Sequence, residues 1–274
     1  MVDRLSDFRS IYAQMVVARA GHPNHEPLRR AFATVERHRF LGPGPWTVNE
    51  NGAATPSDDP ALVYQDVGIG LAPGVPTGLP SLHAALLAAA RIEPGGAVMH
   101  VGAGAGYYTA ILAELVGSRG RVYAYEIDDR LAARARANLA PWHWVTIEAR
   151  SGVCAAPATV DLVYINAGVQ QMPRVWLDTL AARGRVLFPL VPGDGEGAVF
   201  HVWRERGGYS AEALMRARFI PCIGTQDETA RQRLAEAFRS GACEAVRSLR
   251  LAPEPPDATA WFVGDGWWLS MAHR

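Results

Sequence analysis

Between Val98 and Leu190 the chain repeats one pattern: a short apolar run, a turn, then a helix-like segment. The runs fall at 98–101, 121–125 (RVYAY), 144–148 (WVTIE), 161–165 (DLVYI) and 185–190 (RVLFPL). Helix-like segments cover 107–117, 128–139, which starts from an Asp cap, and 173–183, which ends at Gly184. Strands that alternate with helices need crossover connections of one hand, so the strands lie parallel and the helices cover both faces of the sheet. The near-continuous apolar character of the runs agrees, because a strand buried on both faces shows no polar alternation. Past 190 the pattern changes. VPGDGEGA reads as a hairpin turn, strands follow at 199–204 and 212–219 with no helix between them, and the sheet gains an antiparallel edge.

On either side of this block the signals are simpler. Residues 5–20 and 26–37 read as helices, and 41–59 (LGPGPWTVNENGAATPSDD), rich in Gly, Pro and Asn, as an irregular loop. PSLHAALLAAARI carries Leu82, Leu86, Ala89 and Ala90 at helical spacing. Towards the C-terminus, 227–241 reads as a capped helix ending at a glycine, EAVRSLRL as a strand, APEPPDATA as a loop, and WFVGDGWWLS as a hairpin turned at Gly-Asp-Gly.

Composition excludes several classes. The 27 basic and 27 acidic residues cancel, so no general attraction to nucleic acid or to an anionic membrane is expected. Every basic side chain other than histidine is arginine, which rules out a lysine Schiff base or a lysine phosphate clamp. Cys154, Cys222 and Cys243 lie far apart without CxxC spacing; neither a disulfide framework nor a zinc site is expected, and a reducing compartment fits. The first residues are too polar for a signal peptide, and no apolar run approaches the ~18 residues of a membrane span. A cytoplasmic protein without a metal is expected; its oligomeric state is not readable.

The stretch VMHVGAGAGYYTAIL places three glycines between a strand and a helix. In an open α/β sheet that corner binds ligands, because glycine lets the backbone touch them and the helix start offers free N–H groups. A dinucleotide site wants G-x-G-x-x-G, but here Tyr107 stands in the last position. Glu126 follows at the tip of the next strand, about 20 residues on, where an acid can accept from both ribose hydroxyls. VERHRF (35–40), YQD (64–66), Gly74 to Pro80, VMHVGAGAGYYTAILAEL, YEID, a Ser-Gly turn and MPRVWLDTLAARGRVLFPL follow in order. In that order and spacing the chain resembles the protein-L-isoaspartate O-methyltransferase family, with V-P-R-H-x-F, Y-x-D, G-Q-T-I-S-Q-P, V-L-E-I-G-T-G-S-G-Y, a GDG turn and I-P…L-x-x-G-G-x-L-V-x-P. The likeness covers roughly 30–220, and its R-H-x-F and Gly-Tyr elements are more specific than the glycines alone.

The resemblance implies an α/β, Rossmann-like class I methyltransferase fold: a parallel sheet with an antiparallel edge strand, N-terminal helices and a C-terminal helix-plus-hairpin extension. Its regions are 1–80 (N-terminal helices and substrate loop), 81–220 (cofactor-binding core) and 221–274 (an extension packed on the core). The implied cofactor is S-adenosyl-L-methionine. Gly102, Gly104 and Gly106 would cradle its methionine part with Ala103 and Tyr107 beside them. Glu126 would hold the ribose next to Ile127, Ser151 and Gly152 would meet the adenine, and Asn166 and Ala167 would border the bound molecule. Tyr64, Asp66, Thr77, Gly78, Ser81 and His83 would line the acceptor site, with Thr77 in the catalytic position.

Three positions depart from the family pattern. His100 replaces an acid in the glycine strand, Ser151 an aspartate, and Gly78 a serine that helps bind the acceptor carboxylate. The implied activity is O-methylation of a carboxylate of a protein, peptide or natural product, and an ionised carboxylate needs no base. Alternatives are a small-molecule O- or N-methyltransferase using a base such as His83, Asp66 or His38, and a domain that binds the cofactor without turnover. A nicotinamide dehydrogenase is disfavoured by Tyr107. Trp261, Phe262, Trp267 and Trp268 read as a hairpin packed on the domain or as a wall for an apolar acceptor.

Overall fold

The computed structural model describes residues 4–50, 53–155, 157, 159–193 and 195–274. Its helices are α1 (Arg4–Arg19), α2 (Glu26–Thr34), α3 (Pro80–Ala89), α4 (Tyr107–Val116), α5 (Asp129–Asn138), α6 (Arg174–Asp178) and α7 (Glu228–Ser240). The first strands are β1 (Trp46–Glu50), β2 (Ala53–Ser57), β3 (Gly70–Ala72), β4 (Val75–Pro76), β5 (Ala97–Val101), β6 (Arg121–Glu126) and β7 (Val145–Ala149). They are followed by β8 (Val160–Ile165), β9 (Leu180–Leu190), β10 (Gly197–Glu205), β11 (Gly208–Ala217), β12 (Ser248–Leu251), β13 (Ala260–Val263) and β14 (Trp267–Ser270). Contacts divide the chain into two compact units. One runs to Gly96 and resumes over Ala103–Arg150; the other takes Ala97–Gly102 and Ser151–Arg274.

In the first unit α4 is buried on nearly every side, from Tyr107 through Ala113 and at Leu115 and Val116, as its uniformly apolar sequence requires. Helix α5 starts where the Asp128 carboxylate accepts the N–H groups of Arg130 and Leu131, both at 2.9 Å. β6 and β7 pair in parallel, with Val122 opposite Val145 and Glu126 opposite Ala149. The segment 41–59 is not the irregular loop its Gly, Pro and Asn content predicts. β1 and β2 form an antiparallel ribbon, Trp46 opposite Ser57 and Glu50 opposite Ala53, and Pro56 is accommodated because a two-stranded ribbon leaves an edge where no N–H is needed.

The second unit carries strands in the order β13-β14-β12-β11-β10-β9-β8-β5. β5–β8 and β8–β9 are parallel and the remaining pairs antiparallel. The expected helix over 173–183 is cut short: α6 stops at Asp178 and β9 begins at Leu180. Leu180 pairs with Val160, but the next partners are Leu162 and Arg185, so 181–184 is an excursion. A Cβ at Gly184 would stand 2.8 Å from Leu180 Cβ. Helix-forming Ala and Arg yield here to strand pairing and to the burial of Trp176, Leu177 and Leu180.

The C-terminal segment completes this unit. β12 adds to β11 at Tyr209 and Ser210, and β14 and β13 follow. Trp261, Phe262, Trp267 and Trp268 are all buried, with Trp261 5.4 Å from the Phe200 ring and Trp267 6.4 Å from that of Phe188. They are core residues and form no wall for a ligand.

Candidate active site

The corner after β5 takes its shape from left-handed backbone. Gly102, Gly104 and Gly106 have φ of 81°, 56° and 97°, a region that side chains disfavour. Their reasons differ. In the first unit, a Cβ at Gly106 would press on Leu139 Cδ1 at 2.8 Å, so this glycine lets the start of α4 pack against the end of α5. At Gly104 a Cβ would meet only Leu71 Cδ1, at 3.3 Å, which leaves the backbone face open to a close neighbour. Ala103 anchors the turn through its N–H to the Tyr125 carbonyl (3.1 Å).

Glu126 ends β6 with its carboxylate largely buried. One oxygen accepts the Gly104 N–H at 2.7 Å and the other the Asp128 N–H at 3.0 Å. A carboxylate offers about four lone-pair positions, so one on each oxygen remains for a pair of vicinal hydroxyls. Ile127, next in line, is exposed. An open left-handed turn beside an oriented acid with spare acceptor capacity fits a nucleoside cofactor.

Tyr107 departs from the expectation. Its ring is buried between Phe32 and Phe40, its hydroxyl bonds that of Tyr12 at 3.0 Å, and burial holds its phenol well above the ordinary value. The side chain belongs to the core, and only its backbone faces the glycine turn.

In the second unit, a Cβ at Gly102 would approach the Asn166 carbonyl at 3.2 Å, and the Asn166 N–H bonds the Val101 carbonyl at 2.8 Å. The ends of β5 and β8, with Gly102, Asn166 and Ala167, therefore stand side by side. Ser151 Oγ accepts the Val153 N–H (3.2 Å), and the Gly152 carbonyl accepts from Trp176 Nε1 (2.9 Å). His100 lies fully buried in β5, and burial pushes its pKa down to about 3, so the ring is uncharged at neutral pH.

The expected acceptor residues all fall in the first unit, yet several have internal partners. Thr77 Oγ1 accepts the Ile69 N–H (3.0 Å) and donates to the Gly78 carbonyl (3.2 Å). Its hydroxyl braces the loop, so the catalytic placement expected for Thr77 has no proton to offer an acceptor. Asp66 caps α3: Oδ1 accepts the Ser81 N–H at 2.8 Å, while Oδ2 meets Arg19 at 3.3 Å. The Tyr64 hydroxyl pairs with His38 Nδ1 at 2.8 Å, and burial pushes its pKa up to about 12. Gly78 has φ of 76°, and a Cβ there would run into His83 Nε2. The His83 ring is buried and stacked on Tyr108, 3.8 Å between centroids. Where the family pattern has a serine side chain, this chain thus has an imidazole from the following helix.

Two residues had no role in the sequence reading. Arg37 is fully buried and donates from Nη1 to the carbonyls of Val63 (2.8 Å) and Gln65, and from Nη2 to that of Val67 and to Thr77 Oγ1 (3.4 Å). Arg134, on α5, donates to the carbonyls of Phe40 (3.1 Å) and Leu71 (3.4 Å). Only the R-H-x-F stretch hinted at Arg37, since an arginine's burial depends on which distant carbonyls converge on it.

The family model for protein-L-isoaspartate(D-aspartate) O-methyltransferase matches residues 17–227. The chain belongs to that family. Among its relatives, the protein-L-isoaspartate O-methyltransferase of Gloeobacter violaceus is 29% identical over 225 residues, covering 81% of this chain and 96% of the relative. A solved protein-L-isoaspartate O-methyltransferase superposes with a TM-score of 0.68 at 18% identity, covering 95% of this chain and 87% of the other. A Plasmodium falciparum structure described as an enzyme of this kind, in complex with S-adenosyl-L-homocysteine, gives 0.63 at 17% identity, over 78% and 97% of the two chains. The fold is that of these α/β methyltransferases. Among the described residues no helix is long and apolar enough to cross a membrane.

Proposed function

We propose that the chain transfers the methyl group of S-adenosylmethionine to a side-chain carboxylate of a protein or peptide, the isoaspartyl carboxylate above all. Family membership makes it a methyltransferase that uses this cofactor; the acceptor is our reading. The observation that carries cofactor use is Glu126, held by two backbone N–H groups at 2.7 and 3.0 Å with one lone pair on each oxygen left over. Glu126 would hold the ribose hydroxyls, Gly104 would allow close approach of the backbone, and Ile127 would cover one face of the base. When bound, the cofactor supplies a methyl on a sulfonium, whose departure needs no acid. The chain's task is then alignment and exclusion of water.

The acceptor loop supports a carboxylate over a hydroxyl or amine. Asp66 is committed to α3 and Arg19, His38 to Tyr64, and His83 is buried and stacked on Tyr108, so none of the three stands ready as a base. An acceptor already ionised at neutral pH requires none. We also place the protein in the cytoplasm, a reading supported by Cys154, Cys222 and Cys243, which are all free thiols.

Incubation with methyl-labelled cofactor and isoaspartyl peptides tests the reading. Label should appear as a base-labile ester, with kcat flat from about pH 6 to 8. Label confined to small molecules, or a kcat that falls tenfold per unit below neutrality as an imidazole would dictate, would reassign the acceptor.

A further inference from the structure

Arg37 opens the short helical turn Arg37–Phe40, and its guanidinium has five N–H donors in one plane. Four reach a single loop: the carbonyls of Val63, Gln65 and Val67, and the Thr77 hydroxyl. The fifth, at Nε, is buried and unpartnered among the described residues. The guanidinium carbon lies 5.6 Å from the centre of the Tyr12 ring and 5.8 Å from that of Tyr107, whose hydroxyls bond each other. These hydrogen-bond and ring partners are all neutral.

A buried cation whose hydrogen bonds all go to dipoles, with aromatic faces beside it and the Asp66 carboxylate acting on it through space, is a poor source of stability, since an apolar side chain of similar volume is often as good. What an apolar side chain cannot do is gather carbonyls from alternate residues of a loop around one rigid fork. The residues between those carbonyls are Tyr64 and Asp66, and they turn their side chains to His38 and to the first turn of α3. On its other side Arg37 lies against Tyr107, the residue directly after Gly106. One side chain therefore touches both the acceptor loop and the helix that opens at the glycine corner.

We propose that Arg37 is a positioning residue of the methyl transfer, holding the 63–77 loop at a fixed offset from the start of α4. The proposal deepens the function proposed above and rests on it for the reaction that it serves. In-line displacement tolerates little misplacement: an error near 1 Å costs about 100-fold in rate. Arg37 would set that alignment without touching either reactant.

The test compares wild type with Arg37→Lys and Thr77→Val. Lysine keeps the charge but cannot span oxygens on both sides of the fork, and valine removes one of the four. With saturating labelled cofactor and an isoaspartyl peptide, Arg37→Lys should lose about 100-fold in kcat, while its affinity for S-adenosylhomocysteine by calorimetry stays within about threefold. Thr77→Val should move the same way by less. Wild-type kcat in both variants, or nucleotide affinity falling in step with kcat, overturns the proposal. Hydrogen exchange supplies a readout that needs no turnover. Uptake over 60–78 and over the first turn of α4 should rise together in Arg37→Lys, or in Thr77→Val if the lysine variant does not fold. A rise at one segment only, or at neither, overturns the proposal even if the wild type methylates no peptide, an outcome that would instead remove the assigned acceptor.

Discussion

Glu126 and His100 show how much of this chemistry depends on single side chains held in place by the backbone. Replacing the Glu126 carboxylate with an amide removes a charged acceptor from the proposed ribose site and sets an N–H₂ against the N–H of Gly104 or Asp128. At about 1.5–3 kcal/mol per charged hydrogen bond, Glu126→Gln should weaken S-adenosylhomocysteine binding by roughly 10- to 100-fold, read by calorimetry. His100 makes a different prediction. Burial lowers its pKa from 6.5 to about 3, so between those values the unfolded chain binds the extra proton and stability rises with pH. The contribution is complete above the unfolded value and is lost as the pH falls towards the folded one. Wild type should lose up to about 1.4 kcal/mol per pH unit from this group below pH 6.5; His100→Gln should show a flatter dependence in urea titrations between about pH 6.5 and 5. At this scale the sequence was legible where a motif dictates local backbone, as in the glycine turn at Gly104 and Gly106. It was not legible where a side chain's partner arrives from elsewhere in the chain: Thr77 meets Ile69, Asp66 meets Ser81, and Tyr107 meets Tyr12. A hydroxyl or a carboxylate looks the same in sequence whether it faces a substrate or a backbone amide.

Among the elements, α3 depends on a cap that its own segment lacks. Leu79 precedes Pro80 and offers no side-chain acceptor, and the Ser81 N–H is satisfied by Asp66 instead. Asp66→Ala should therefore destabilise the fold by about 1 kcal/mol, seen as a lower denaturant midpoint with an unchanged slope. A base role would abolish turnover without that shift. The strand–helix alternation from β5 to β8 was readable because the short apolar strands and the amphipathic α5 carry different periods, and the longer apolar run of α4 is set off by glycines at both ends. Two elements were misread for one reason. The helix ending at Asp178 and the ribbon at 46–57 are decided by partner strands, β8 in one case and each other in the second, and pairing across a gap leaves no local period to detect.

Across the whole chain, the segment after Gly224 adds three strands and a helix to the second unit, and its tryptophans are buried in that unit's core. Trp267→Ala should cost about 3–5 kcal/mol, and removing 225–274 should abolish cooperative unfolding rather than merely change the acceptor range; a truncated chain with an intact thermal transition would contradict this. The family match, residues 17–227, stops where α7 is about to begin, so the sequence could announce the corner and the parallel strands with an antiparallel edge but not how the last strands are buried. One contact has a consequence for substitution. Gly42 has φ of 77°, and a methyl group there would sit 2.9 Å from Arg134 Nη2. A side chain at position 42 would have to push the Arg134 guanidinium aside, and with it loosen the tie that fastens the Phe40 and Leu71 carbonyls to α5.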